Sequence, residues 1–380
     1  MHLTSKLPSS GTTIFSVMSK LALEHGALNL GQGFPGFPID PLLGELTLKY
    51  ISKGHNQYAP MPGVPELRKA IAQKIRSCYG HAYDVNDEIT ITAGATQAIY
   101  TALTALVHED DEVILFAPAY DSYAPGVELN EGIVVWAELD APDYAINWEL
   151  VKKLINHRTR AILINTPHNP TGTVLKESDL RQLEKIVSGT DIIIISDEVY
   201  EHMVFDGVRH ESVARYPALR DRSVVIGSFG KTFHVTGWKM GYVAAPGFIM
   251  QEIRKVHQFN VFSCNTPVQY ALSEYMEDTS RWSELPRFYQ RKRNLFLDAL
   301  KGSRFKAIPA AGSYFQLLDY SEISDEKDAE LAVRMTREQK LTAIPISVFY
   351  PNGSKGNMLR FCFAKEDDDL KRAGEILQKM

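Results

Sequence analysis

Cysteine is scarce in this chain: Cys78, Cys264 and Cys362 are the three among 380 residues, and they lie far apart. That spacing supplies neither a repeated zinc-ligand pattern nor a disulfide framework, so no metal site is expected. Each thiol reads as a packed side chain in a reducing, cytoplasmic setting. Long apolar runs are missing as well. No segment sustains the roughly 18 apolar residues of a spanning helix, and the opening MHLTSKLPSSGTTIF lacks the apolar stretch of a secretory signal. Neither a membrane anchor nor a leader is expected. Nor is there an excess of positive charge: 41 basic residues stand against 46 acidic ones, a formal charge of -5. Such a balance has no general attraction for nucleic acid or an anionic membrane, although a small anionic ligand needs only a local positive site.

Hydrophobic residues, by contrast, make up 44% of the chain. A chain of this length usually divides its core between domains. Short hydrophobic runs predict strands at Glu88–Thr92, Glu112–Phe116, Ile133–Ala137, Ala161–Asn165, Ile192–Ser196, Val224–Ser228 and Gly241–Ala245. Longer periodic patterns predict helices at Pro65–Tyr79, Ala95–Val107, Lys176–Ser188 and Gln251–Phe259. Strands alternating with helices imply an α/β sheet covered on both faces, with the isoleucine run at 192–195 in its centre. Past Ser263 the pattern changes to helices near Val268–Met276 and Leu285–Leu300, strands near Ser313–Leu317 and Met358–Phe363, and a last helix. This predicts a smaller α+β unit. The expected division is an N-terminal arm that shares the small domain (1–38), a large domain (39–270) and a C-terminal small domain (271–380).

Polar segments follow several of these strands. The third-to-last strand of the large unit leads into SDEVY, the one before it into NTPHNPTG, and the next into SFGKT. Open α/β sheets bind ligands beyond the carboxyl ends of their strands, so these separated segments can converge. Their chemistry matches the needs of pyridoxal 5'-phosphate (PLP). Lys231 can form a Schiff base and then act as a proton-transfer amine. Asp197 can face the pyridine nitrogen and keep it protonated. Tyr200 and Asn169 can donate to the ring oxygen, and Asn165 can reach a substrate carboxylate. TAGAT at 92–96, between a strand and a helix, offers backbone donors and Thr96 to a phosphate, with Ser228 and Lys239 adding a hydroxyl and a charge. Tyr120 can stack on the ring, and the Arg360 fork can hold a carboxylate. Each of these residues also has an ordinary role as a strand cap, turn residue, core aromatic or surface charge. One literal motif is discounted: GQGFPG at 31–36 satisfies GxGxxG, but Pro35 and Pro38 interrupt the helix that a dinucleotide site requires.

Together NTPHNPTG, SDEVYEH and SFGKTFHVTGWKMGY resemble the fold-type I, class I/II PLP-dependent aminotransferases, in particular the methionine and aromatic group with its kynurenine aminotransferase-like members. The likeness runs from NLGQGFPGFP and NQYAPMPG to the late GSYFQL and LRFCFA. It implies a mostly parallel seven-stranded sheet in a large PLP domain, a small domain built from both chain ends, and a homodimer. By resemblance Lys231 anchors the cofactor, Asp197 meets the pyridine nitrogen, and Asn169 and Tyr200 meet the ring oxygen. Ala95, Thr96, Ser228 and Lys239 fall on the phosphate side. Tyr120 is the stacking ring, and Tyr58 reaches the other active site across the dimer. Asn165, Arg360 and the Gly33 backbone take the substrate carboxylate, and Phe15, Tyr58 and Phe262 fall in an aromatic side-chain pocket.

No second arginine for a distal carboxylate is evident, which favours methionine and aromatic amino acids over aspartate as donors. The expected reaction is amino transfer to a 2-oxo acid with ping-pong kinetics. A PLP-dependent carbon–sulfur β-lyase and a noncatalytic PLP-binding regulatory protein are the competing readings.

Overall fold

The computed structural model describes residues 3–8, 11–353 and 356–380. The seven hydrophobic runs become the strands of one sheet: β1 (Ile89–Thr92), β2 (Glu112–Ala117), β3 (Ile133–Glu138), β4 (Thr159–Asn165), β5 (Ile193–Asp197), β6 (Ser223–Ser228) and β7 (Gly241–Ala244). Their order is β1-β7-β6-β5-β4-β2-β3, so the isoleucine-rich β5 is the middle strand. Neighbours from β6 to β3 run parallel. Strand β7 runs antiparallel to both β1 and β6.

Successive side chains on a strand point to opposite faces. Accordingly Ile114, Ile162 and Ile194 join one buried cluster, whereas Val113, Leu115, Leu163 and Ile195 join a second on the other face. Helices cover both. The helix Ala95–Leu106 packs with Gly247–Asn260 on the second face. Pro65–Tyr79 starts on a proline and ends against Gly80 at φ 81, the residue pair that suits a helix start and stop.

Two helices precede it that the sequence patterning does not predict, α1 (Ile14–His25) and α2 (Pro41–Ser52). Neither shows one clean apolar stripe. In α1 the core takes Met18, Leu21 and Ala22 while Leu23 is left exposed; in α2 it takes Leu43 and Leu46 while Leu42, Leu48 and Ile51 stay exposed. Local capping fixes α1 nonetheless: Thr13 accepts from the Ser16 N–H, and Gly26 closes the helix in the left-handed region.

The C-terminal part carries a four-stranded antiparallel sheet whose inner strands are β8 (Phe315–Asp319) and β9 (Met358–Cys362), flanked by Lys306–Ala307 and Ile344–Pro345. The last helix, Asp367–Gln378, packs on Leu285–Ala299. There Gly374 is required, because a β-carbon would stand 2.4 Å from that of Ala299. Leu28–Asn29 pairs in parallel with Leu341–Thr342, tying the start of the chain to its last third. The junction expected at 270/271 lies inside the helix Thr266–Tyr275, which packs on α2. Among the described residues no helix is long and apolar enough to cross a membrane, no cluster of metal-ligating side chains occurs, and the cysteines are unpaired.

Candidate active site

Strand ends deliver the polar segments to one place. Phe15, Gly33, Ala95, Thr96, Tyr120, Asn165, Asn169, Asp197, Tyr200, Lys231 and Arg360 all line one cavity of about 280 Å³. They come from α1, the 31–36 loop, the turn after β1, the loops after β2, β4, β5 and β6, and from β9.

The corner that could take an anion is built from backbone. Gly94 at φ 81 turns β1 into the helix Ala95–Leu106, whose first N–H groups lack intrahelical acceptors. This turn lies flat on β7: a β-carbon at Gly241 would stand 3.0 Å from Gly94 C and 3.1 Å from Ala95 N. Lys239, left-handed at φ 53, brings its Cε to 3.5 Å from the β-carbon position of Gly94. Ser228 caps the short helix Phe229–Thr232, its Oγ accepting from the Lys231 N–H at 3.3 Å. Ser228 and Lys239 thus flank the corner without lining the cavity.

Asp197 ends β5 and is buried. Its carboxylate accepts from the Tyr123 hydroxyl at 2.5 Å and from the Val199 N–H at 3.2 Å. Burial pushes it up to about 6, opposed by the Tyr123 and Val199 hydrogen bonds and by the Lys231 charge. Burial pulls Lys231 down to about 8. The Lys231 Nζ donates to Gly33 O at 3.0 Å and to the Tyr314 hydroxyl at 2.8 Å. A buried carboxylate with room for a cationic ring nitrogen, a lysine amine, a backbone anion corner and the Tyr120 ring fit PLP.

Arg360 sits on β9 at 1% exposure. Its Nη1 donates to Asn169 Oδ1 at 2.7 Å and its Nη2 to Gly31 O at 3.0 Å. The guanidinium lies 3.9 Å from the Phe315 ring centroid, with Phe349 and Phe15 beyond. Its Nε is buried with no acceptor among the described residues. Burial lowers it to about 10, which leaves it charged at neutral pH. Asn165 staples two loops, its Nδ2 donating to Asp197 O at 3.0 Å and its Oδ1 accepting from the Asn169 N–H at 2.8 Å. One N–H of that amide remains for a ligand.

Tyr58 and Phe262 do not line this cavity. Tyr58 is 82% exposed and meets Phe262 edge-to-face at 5.4 Å on the surface. Conversely, the cavity wall includes Gln32, Tyr123 and Phe315, which the sequence reading does not single out. Gln32 Nε2 donates to Phe15 O at 2.9 Å and to Ser19, fixing the loop against α1.

Behind the site, Glu198 and Glu201, which alternate with the cavity residues Asp197, Val199 and Tyr200, turn the other way. Glu198 accepts from Ser196 at 2.8 Å and lies 2.9 Å from His210 Nε2. Glu201 is held by Lys74, by the Tyr79 hydroxyl and by the Tyr242 hydroxyl, which is itself 2.8 Å from Lys74 Nζ. Burial works against the Glu201 charge, yet Lys74 and these donors hold the carboxyl well below the usual range. Lys74 occupies one face of an amphipathic helix, where a lysine reads as solvent-exposed; only its tertiary partner explains it.

The sequence profile of the family "Aminotransferase class I and II" matches residues 26–377. A methionine aminotransferase of Escherichia coli (strain K12) is 47% identical over 377 residues, covering 99% of this chain and 98% of its own. Kynurenine–oxoglutarate transaminase 3 of Rattus norvegicus is 35% identical over 391 residues, covering 95% of this chain and 86% of its own. A crystal structure of an Escherichia coli protein identified with a methionine aminotransferase function superposes with a TM-score of 0.98 at 46% identity, covering 100% of both chains. The chain therefore belongs to the class I and II aminotransferases, PLP-dependent enzymes of fold type I.

Proposed function

We propose that this enzyme moves the amino group of an uncharged or aromatic amino acid, methionine included, to a 2-oxo acid. The observation that carries the substrate class is the composition of the cavity. Among the described residues Arg360 is the single arginine in its wall, and the rings of Phe15 and Phe315 lie beside it. One guanidinium serves the α-carboxylate common to all amino acids, and a distal carboxylate would find no second fork. The similarity to a methionine aminotransferase and to a kynurenine transaminase points the same way.

In this reading Lys231 anchors PLP, Asp197 pairs with its ring nitrogen, Asn169 and Tyr200 flank its ring oxygen, and Tyr120 covers its face. Ala95, Thr96, Ser228 and Lys239 serve its phosphate. When bound, the cofactor supplies a conjugated electron sink for the pair left at the substrate α-carbon. Arg360, Asn165 and the Gly33 backbone orient the donor carboxylate, and the Lys231 Nζ takes the α-proton and hands it on. The proposal extends to a cytoplasmic homodimer, with a small domain formed by both chain ends. The exposed Tyr58–Phe262 pair then faces a second copy and completes its site.

The test is a spectral titration of the PLP-loaded protein with methionine, aromatic amino acids, glutamine and aspartate, with mass identification of both products. Conversion of bound PLP to pyridoxamine phosphate with release of the 2-oxo acid is expected, and Lys231→Ala should abolish it while still binding cofactor. Ammonia and pyruvate from a cysteine conjugate, without amino transfer from any donor, would replace this reading by β-elimination.

A further inference from the structure

We infer that Tyr314, acting with the Gly33 carbonyl, receives the Lys231 amine when it is free and aims its lone pair at the substrate, which makes Tyr314 a positioning residue for the proton transfer. The inference rests on the aminotransfer reading and adds a residue to it. Tyr314 stands just before β8 and is completely buried. Ser313, at φ 61, turns the chain into it. Its ring is locked edge-to-face against Tyr200 at 5.0 Å and Phe315 at 4.9 Å. Only the hydroxyl has a polar task. It donates to Gly33 O, while its oxygen accepts from Lys231 Nζ at 2.8 Å; the same Nζ reaches Gly33 O at 3.0 Å.

This triangle decides orientation. A neutral amine has two N–H bonds and one lone pair. Both N–H bonds are committed to Tyr314 and Gly33, so the lone pair is the one direction left unassigned. Burial keeps the Tyr314 phenol far above its ordinary range, so it stays a protonated donor to Gly33 and is not itself the base. Once an amino acid has displaced the lysine, its α-C–H bond breaks and a new N–H bond forms at Nζ. The electron pair stays on carbon, to be taken up by the cofactor. The resulting ammonium keeps two N–H groups on the same acceptors, and its third N–H carries the proton onward.

The test uses Tyr314→Phe, which retains the ring contacts. In the PLP-loaded enzyme the methionine half-reaction should slow by about 10- to 100-fold, the usual range for impaired proton transfer. KM should change by less than about threefold, and the α-deuterium isotope effect should rise. A second readout needs no turnover. In the cofactor-free full chain, trinitrobenzenesulfonate labelling of Lys231, followed by peptide mass analysis, reports its titration. The ionisable groups facing Nζ are Asp197, Arg360, Lys239, Cys362, Tyr200 and Tyr314. Loss of the Tyr314 acceptor should lower the Lys231 midpoint by about one pH unit. A slower enzyme whose isotope effect and Lys231 titration are both unchanged would show a structural role only and overturn the inference, as would unchanged rates. A wild-type holoenzyme that transaminates no donor would overturn the aminotransfer reading instead, and the labelling experiment would still decide whether Tyr314 holds the amine.

Discussion

Arg360→Lys keeps a positive charge but removes the planar fork, and its cost can be worked out from what Arg360 already touches. Two of its nitrogens are occupied, at 2.7 Å by Asn169 and at 3.0 Å by Gly31, while the buried Nε has no acceptor among the described residues. Each terminal nitrogen keeps a second N–H, and a substrate carboxylate would accept from these. Lysine offers one point of charge, cannot serve Asn169, Gly31 and a carboxylate together, and loses the stack on Phe315. Forfeiting one charge-assisted hydrogen bond costs about 1.5–3 kcal/mol, or roughly 10- to 150-fold in kcat/KM. Part of any loss will come from disturbed loops, so a cycle is needed. Methionine and methioninamide are compared on both enzymes, with 2-oxo product measured by mass. The wild type should prefer methionine strongly, and Arg360→Lys should narrow that preference by roughly the same 10- to 150-fold. If the variant loses activity equally on both substrates, Arg360 does not hold the α-carboxylate and the loss is structural.

Four further outcomes are expected. Asp197→Asn should lower the rate of both half-reactions by roughly 10- to 100-fold through loss of a buried charge beside the ring nitrogen; unaltered single-turnover rates would remove Asp197 from the cofactor site. Lys74→Met should destabilise the fold by about 3–5 kcal/mol, because Glu201 is left buried without its cation and with only the Tyr79 and Tyr242 hydroxyls, and adding Glu201→Gln should recover part of it in urea unfolding. Gly227→Ala should cost about 3 kcal/mol or more in the same assay, since its β-carbon would stand 2.2 Å from the Tyr242 ring. Burial holds His168, His234 and His257 down to about 4 and His202 to about 3, against an ordinary 6.5. These folded-state values are depressed, so stability is complete above pH 6.5 and is lost as pH falls toward 4, by about 1.4 kcal/mol per pH unit for each histidine. Asp197, raised to about 6, and Asp121, also raised by burial, work in the opposite sense, whereas His81, lowered by burial, adds to the four histidines and keeps them in the majority. A urea midpoint for the cofactor-free chain that does not fall between pH 7 and pH 5 would contradict this.

What was legible in the sequence is what depends on local pattern. The strands announce themselves because a sheet buried on both faces needs continuous apolar runs, and β5 could hardly be anything else. The residues at their ends stand out because a polar cluster after such a run is unusual. What was not legible depends on partners far away in the chain. Tyr123, Tyr314 and Phe315 look like core aromatics, and as rings they are; the functions of the Tyr123 and Tyr314 hydroxyls exist only because Asp197 and Lys231 are brought to them. Leu28–Asn29 is a strand only by virtue of Leu341–Thr342. Tyr58 and Phe262 carry no local mark that they stand outside the cavity.

The segment after β5 has one more consequence. Asp197 and Tyr200 face the cavity while Glu198 and Glu201 are pinned in the interior by His210 and by Lys74. Chemistry and anchorage therefore share a single stretch of backbone on interleaved positions. Drift can exchange side chains there one at a time, but it cannot change the length of the stretch: one inserted residue between Ser196 and Tyr200 would shift the interleaved positions out of step, so that residues meant for the cavity and for the interior no longer met their partners. Deletions and insertions should consequently be tolerated in the surface turns on either side of this segment and be lethal to activity within it.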